Sequence, residues 1–587
     1  MQVTVSKQPS RAEPANVVEL SVETDRELLT ASVQTKLIFG FLVLGVVGRS
    51  VRYFLNFPLW EDECFLCVNF IDRSYAELLQ PLQYHQVAPI LFLWIEATMV
   101  RLFGYNELAL RLFPFLCSLG SLFLFRHLAG RLLRGTALVT AVGVFAVSYS
   151  GIRYAAEAKQ YSSDLLVSLV ILTFAVEWWR SRKAGWMWGL VAIAPIAVAL
   201  SYPSAFVAGG ASIALGALLL REREPRAWIG WCVFNVVLVG SFGAVFLLAA
   251  KDQSGAELDY MRTFWHNAFP PIASPLQLVP WLVVTHASEL LAYPVGGARG
   301  ASALAFIGFS AALLLLVRRR RINLLLLLLA PFAVHLVAAA IERYPYGGHV
   351  KFSQHLAPAI CIMIGIGTAG IIAWLNRQRH ALVVLRGTLI FLVCVGAGSI
   401  CRDLANPYKT KSDMRTRAFA RWFWVNAAAE GLPLCVKNDL RQDFSPDTFS
   451  ELSWSAMYLC NQAIYSPLPH GHVDLSALDQ VSQARPLRCV LYRDPRFEFD
   501  DAAYQVWLVE MQESYELVGK DLFPATRYDK RDKQLINVDY LETLTFVPRP
   551  ETPHSRVSHA GGSAPVRRGN AGTRPLALES AVRNVAH

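Results

Sequence analysis

The sequence predicts an all-α polytopic membrane domain followed by a small C-terminal α/β domain. Three observations predict it. Apolar stretches of bilayer-crossing length recur between residues 36 and 400, arginine clusters fall in alternate gaps between them, and from 401 onward the apolar runs shorten to strand length.

The chain has 587 residues, of which 54% are hydrophobic and 17% charged, with a mean hydropathy of +0.35. An ordinary soluble protein is less apolar than this, so lipid is the expected main solvent. The formal charge of +10 and pI near 9.1 could suggest nucleic acid. The arginines sit in short clusters between apolar runs, however, where the positive-inside rule puts them, and the basicity reads as topology.

Residues 1–35 are polar, contain Pro9 and Pro14 and run into Glu23-Thr24-Asp25-Arg26-Glu27. They lack the apolar core and cleavage site of a secretory signal and are expected to be a cytoplasmic N-terminal segment. A crossing needs roughly 17 to 25 apolar residues, with allowance for tilt. Such stretches occur at 36–55, 111–130, 135–151, 161–179, 186–201, 203–220, 228–250, 301–317, 322–341, 355–374 and 382–400, which makes eleven. A further stretch, 88–103, is short and carries Glu96 and Arg101. It is expected to lie along the membrane surface as an interfacial helix.

The loops with Arg131 and Arg134, Arg180, Arg182 and Lys183, Arg221, Arg223 and Arg226, Arg318 to Arg321, and Arg377 and Arg379 share one side, the cytoplasmic one. The segments 56–110, 152–160, 251–300 and 342–354, with a turn at Tyr202, then face outward, and the chain from 401 follows on that side. The expected domains are a membrane domain over 36–400, an outer α/β domain over 401–548 and a disordered tail over 549–587. Short apolar runs such as Leu434-Cys435-Val436 and Cys489-Val490-Leu491-Tyr492 suit strands, with helix-like stretches such as 415–429 between them. The tail is rich in Pro, Gly, Ser, Ala and Arg.

The first outward segment carries Trp60-Glu61-Asp62-Glu63-Cys64. Adjacent carboxylates repel one another, which can raise a pKa toward the range useful to a general base; the alternative is a solvated acidic loop. The second reads Arg153-Tyr154-Ala155-Ala156-Glu157-Ala158-Lys159-Gln160-Tyr161, with Asp164 in the first turn of the next helix. Lys159 or Arg153 could clamp a lipid phosphate there, and the alternative is interfacial anchoring by snorkelling side chains. The ten cysteines lie mostly in apolar stretches. Cys64 and Cys67 have the spacing of a redox pair or half a zinc site, but no second ligand pair lies at zinc-like spacing. Whether the two form a disulfide is left open.

Together these stretches resemble glycosyltransferase family 39 and related polyprenyl-phosphate-sugar transferases of the GT-C fold, which include the protein O-mannosyltransferases and the aminoarabinose transferases of lipid A. The matching pieces are Asp62-Glu63, Gln86-Val87-Ala88-Pro89, Phe103-Gly104-Tyr105-Asn106-Glu107 followed by Arg111, Ala156-Glu157-Ala158-Lys159-Gln160-Tyr161, and Tyr344-Pro345-Tyr346-Gly347-Gly348. The likeness covers roughly 36–375. It implies a GT-C membrane domain with an interfacial helix over a cavity, and inverting transfer of a sugar from a polyprenyl phosphate to a hydroxyl acceptor on lipid, glycan or protein. Asp62 is implied as the catalytic base with Glu63 beside it.

For the donor phosphate the resemblance implies Lys159, with Arg153 as a candidate helper and Glu157 positioning groups; Tyr161 and Tyr346 are further substrate-binding candidates, and His85 and His349 are candidates for donor or acceptor contacts, the alternative being interfacial polar residues. Lys159 stands where many members carry Arg, so the charge is kept and the bidentate fork is lost. His349 stands where Arg often follows the Tyr-Pro-x-Gly-Gly stretch. Fixed basic side chains could neutralise the phosphate, so no cofactor is expected; a divalent metal is compatible but not implied. The expected partners are the lipid-linked donor, the acceptor and membrane lipid, with no nucleic acid, and the expected place is a bacterial-type inner membrane with the site on its outer face. The rival readings are a polytopic transporter, which should show inverted repeats and mid-membrane ionisable groups, and a non-catalytic envelope assembly protein.

Overall fold

The computed structural model describes residues 28–221, 225–250, 262, 265–296, 301–376, 380–425, 432–437, 449–465, 471–474, 486–493, 501–529 and 534–549. Most of the expected N-terminal segment, nearly all of the expected tail, and Arg223, Arg377 and Arg379 lie outside the described residues, as does part of 251–300. The chain divides into two compact units: Met1–Phe57, Asp72–Gly104 and Leu108–Pro407 form the first, and Pro58–Ile71, Tyr105–Glu107 and Tyr408–His587 the second. The acidic segment thus groups with the C-terminal part of the chain.

The first unit is helical. Helix α1 spans Ala31–Phe54, its N-terminus capped by the Thr30 hydroxyl, which accepts the Val33 N–H. The second unit's short α2, Glu61–Cys67, follows in sequence. Next come α3 (Ile90–Phe103), α4 (Glu107–Leu132), α5 (Gly135–Val147), α6 (Tyr149–Tyr154), α7 (Tyr161–Ser181), α8 (Ala184–Leu200), α9 (Ser204–Leu219), α10 (Pro225–Val245) and α11 (Pro275–Thr285). Helices α12 (Ala301–Arg318), α13 (Ile322–Ala340), α14 (Ala357–Asn376) and α15 (Ala381–Ala405) complete it.

Among the described residues, seven helices are long and apolar enough to cross a membrane: α1, α4, α7, α10, α13, α14 and α15, of which α10 and α14 extend into adjoining turns. The other four predicted crossings fall on α5, α8, α9 and α12, which are apolar but shorter. Helix α5 illustrates why length and composition alone do not count it. At 1.5 Å per residue it rises only about 20 Å, less than the ~30 Å hydrocarbon core. It breaks at Ser148, and α6 resumes immediately afterwards.

Two arginines inside the bundle are met by buried partners, as a low-dielectric interior favours. Arg52 of α1 pairs with Asp403 of α15 at 2.8 Å, both buried. Buried Arg49 donates to the Ala146 carbonyl at 2.8 Å and to the Ser118 hydroxyl at 2.9 Å. Close packing of α14 on α12 depends on glycine: a Cβ on Gly367 would stand 1.7 Å from the Gly308 carbonyl oxygen.

Helix α3 has 14 residues and stops at Gly104, whose φ of 80° suits glycine. About 21 Å long, it cannot cross upright. Arg101 lies over the exposed Tyr75 ring at 3.8 Å, while Glu96 is completely buried. The two charges that argued against a crossing therefore have opposite surroundings.

In the second unit, α16 (Lys411–Val425), α17 (Phe449–Tyr465) and α18 (Asp501–Ser514) accompany a five-stranded sheet of β1 (Leu432–Lys437), β2 (Gly471–Asp474), β3 (Leu487–Arg493), β4 (Tyr515–Asp529) and β5 (Gln534–Pro548). The order is β2-β1-β3-β5-β4. Strands β2 and β3 flank β1 in parallel, while β5 runs antiparallel to both β3 and β4. The parallel β1–β2 step carries α17 in its connection, as parallel neighbours need a long crossover. Trp507 and Met511 of α18 form a core with Leu487, Cys489, Leu544 and Phe546 of the sheet. β1 and β3 contain the two short apolar runs.

Candidate functional site

In the first unit, the link between α6 and α7 is folded inward. Lys159 is only 4% exposed, and its ammonium donates to Gln86 Oε1 at 2.7 Å. Snorkelling would leave the ammonium at the water boundary. Arg153, in the last turn of α6, donates through Nε to Glu157 Oε1 at 2.6 Å. That i,i+4 ion pair orients the guanidinium.

Tyr161 opens α7, with its ring 4.8 Å from that of Tyr154. The Tyr154 hydroxyl is 3.4 Å from His349 Nδ1, and the same nitrogen accepts the Lys351 N–H at 3.2 Å. The 344–349 loop is therefore tied to the 153–161 link. Gly347 and Gly348 turn this loop with φ of 94° and 72°, where a Cβ would be strained. Buried Tyr346 meets His286 Nε2 through its hydroxyl at 3.1 Å, and burial pushes its phenol above the ordinary value. His335 holds the loop by donating from Nε2 to the Pro345 carbonyl at 2.8 Å. His85 lies in the turn Gln83–His85. Tyr202 reaches the same region, its hydroxyl donating to the Ala88 carbonyl at 3.1 Å.

The segments 86–89, 153–161 and 344–349 are thus brought together, although the hydrogen bonds joining them bridge 73 and 195 positions of sequence. Gln86, Tyr154 and His335 were not among the predicted site residues. Gln86 stood inside a quoted motif and could have been found there; His335 sits in an apolar helix and carried no signal. Glu96 is another group that sequence reasoning passed over. Among the described residues neither carboxylate oxygen has a hydrogen-bond partner, and burial pushes this carboxyl well above its usual range.

In the second unit, α2 places three carboxylates in its first turn, where they complement the helix dipole. Glu63 is 1% exposed and accepts the Trp60 N–H through Oε2 at 3.3 Å, closing the helix start. Asp62 is half-buried one residue before it. The Lys409 ammonium lies over the Trp60 ring. Thr410 and Asp413 bond each other's backbone N–H at 2.8 and 3.2 Å, forming a capping box for α16. Asp413, 3% exposed, has its carboxyl pushed up to about 7, chiefly by burial; the Thr410 bonds and Lys409 oppose this, and Glu63 adds to it. Its role was not foreseen, because its only local signal is the Thr-x-x-Asp cap.

Glu107, from the Phe103-Gly104-Tyr105-Asn106-Glu107 stretch, is gripped by Arg417 of α16 at 2.9 Å and by the Tyr465 hydroxyl of α17 at 2.6 Å. In the first unit Arg111 donates to the Phe57 carbonyl at 2.5 Å. Cys64 and Cys67 are buried and not joined in a disulfide in this structure. Among the described residues no group of three or more His, Cys, Asp or Glu side chains is placed to hold a metal ion.

No family model matches the chain, and no curated protein matches it. Among solved structures it is similar to ArnT from Cupriavidus metallidurans in the apo state, at 12% identity and a TM-score of 0.47 over 86% of this chain and 98% of that one. ArnT from the same organism bound to undecaprenyl phosphate gives 12% and 0.47 over 88% and 98%. The oligosaccharyltransferase AglB of Archaeoglobus fulgidus, in complex with an inhibitory peptide and a dolichol-phosphate, gives 11% and 0.39 over 74% and 62%.

Proposed function

We propose that this protein is an integral-membrane glycosyltransferase that moves a sugar from a polyprenyl phosphate to a hydroxyl acceptor at the outer face of a bacterial-type inner membrane. The observation that supports it is the convergence at Lys159: a buried cation, held by Gln86 and flanked by the Arg153–Glu157 pair, where three of the five stretches resembling polyprenyl-phosphate-sugar transferases come together. In this reading α5 continued by α6, together with α8, α9 and α12, completes eleven crossings with the seven longer helices, and α3 lies along the surface.

The acceptor oxygen attacks the anomeric carbon as Asp62 takes its proton. The bond from that carbon to the phosphate oxygen breaks on the opposite side, and the configuration inverts. The lipid phosphate leaves with its charge, which Lys159 and Arg153 stabilise. Glu63 and Glu157 position groups, and Tyr161, Tyr346, His85 and His349 are the further residues assigned to donor or acceptor binding. Fixed cations perform the neutralisation, so the scheme calls for no metal.

The deciding experiment supplies purified protein in lipid with polyprenyl-phosphate sugars and envelope extracts, and follows release of polyprenyl phosphate together with appearance of a glycosylated acceptor. Vesicles carrying the protein are assayed in parallel for uptake. Uptake without transfer would make it a transporter, and inactivity in both assays would favour a scaffold.

A further inference from the structure

Helix α2 carries Cys64 and Cys67 into the interior of the second unit, and α17 brings Cys460 against them; all three are buried. Cys460 Sγ is 3.6 Å from the Cys64 carbonyl oxygen. The Tyr105 hydroxyl closes the cluster, contacting Cys460 Sγ at 3.2 Å and the Cys67 carbonyl at 3.0 Å. Helices α2 and α17 lie side by side, as a disulfide requires, since its Cα atoms stand about 4.4 to 6.8 Å apart.

We propose that Cys64 and Cys460, free thiols in this structure, are a disulfide-forming pair that fastens the acidic helix α2 covalently to α17. The inference rests on the outer-face reading of the second unit, because disulfides persist in oxidising compartments. The oxidant is a protein disulfide acting by thiol–disulfide exchange. One cysteine thiolate attacks it to give a mixed disulfide, the second displaces the oxidant's remaining sulfur, and the two electrons and two protons lost by the pair appear as the oxidant's dithiol.

The bond forms while the chain folds. In the finished unit, desolvation holds the Cys64 thiol far above its ordinary pKa, and a protonated buried thiol neither attacks nor meets an oxidant. Once closed, the link fixes the helix that bears Asp62 and Glu63 to an element 396 positions away in sequence.

The test takes full-length protein from cells lysed in denaturant with N-ethylmaleimide, digests it without reduction and maps the peptides by mass spectrometry. The expected result is one cross-linked pair joining Cys64 to Cys460. Alkylated Cys64 and Cys460, or a Cys64–Cys67 link, would overturn it. In the same cells a Val518→Cys variant, at an exposed position of β4, is probed with an impermeant maleimide. Labelled Val518→Cys with free Cys64 and Cys460 sinks the disulfide and leaves the outer placement standing, whereas protection at Val518→Cys with free thiols sinks both.

Thermal unfolding adds a second criterion. Cys64→Ser, Cys460→Ser and the double variant should lose the same Tm, since each removes one shared bond. Additive losses would mean two separate packing contributions and would overturn the pair.

Discussion

Lys159 and Gln86 are joined by a 2.7 Å hydrogen bond between the ammonium and the side-chain carbonyl, and this contact bears on two readings of the same cation. A snorkelling lysine would keep its charge in the headgroups, but this one is buried and aimed by a fixed partner.

If that charge meets the donor phosphate, Lys159→Ala should weaken donor use and slow transfer together, by tenfold or more on the usual scale of a lost charge-assisted contact. Lys159→Arg should retain much of the activity. Gln86→Leu, which keeps the cation and removes its support, should cost less than Lys159→Ala. Steady-state kinetics with a separate donor-binding measurement reads all three, and normal kinetics for Lys159→Ala would return the residue to an anchoring role.

Asp62→Asn removes the ability to accept a proton while keeping size and most hydrogen bonding. Transfer should fall by on the order of a hundredfold or more, with expression and donor binding near normal. Glu63→Gln should cost less, because a glutamine oxygen can still accept the Trp60 N–H that closes the helix start. Full activity in Asp62→Asn would shift the base to Glu63 or Glu157, and full activity in Glu63→Gln and Glu157→Gln as well would remove the mechanism.

Asp413 gives a pH dependence whose sign is fixed by its environment. Its folded-state pKa, about 7, lies above the ordinary 3.8 because burial penalises the carboxylate. Between those values the folded state binds the extra proton, so this group's contribution to stability falls as pH rises from about 4 toward 7 and levels off above. The charges near it are Lys409, which lowers the pKa, and Glu63, which raises it. Asp413→Asn should flatten the Tm-against-pH curve over this window relative to the parent protein. An unchanged slope would assign the titration elsewhere.

The topology is testable with single cysteines at positions 20, 319 and 450 on a cysteine-free background, using an impermeant thiol reagent. Labelling at 450 and protection at 20 and 319 in intact cells is the expected pattern. Protection at 450 would reverse the membrane domain, and labelling at both 20 and 450 would mean that 88–103 crosses.

Sequence alone placed the long apolar helices, because a bilayer imposes length and hydrophobicity on each crossing segment separately. The charge pattern of the loops is equally local, and so are the runs that became β1 and β3. Sequence also named Lys159, Arg153 and Glu157, and the i,i+4 spacing of Arg153 and Glu157 lies within one short stretch. Tertiary structure decided which residues meet. The Lys159–Gln86 and Tyr154–His349 contacts, the grip of Arg417 and Tyr465 on Glu107, and the grouping of Asp62-Glu63 with the C-terminal segment all join positions far apart in the chain. The same holds for burial: Glu96 and Arg101 read alike as charges on one short helix, but packing around Glu96 alone gives them opposite surroundings. Periodicity reports the face a residue shares with its near neighbours, whereas the partner across that face is set by how distant segments pack.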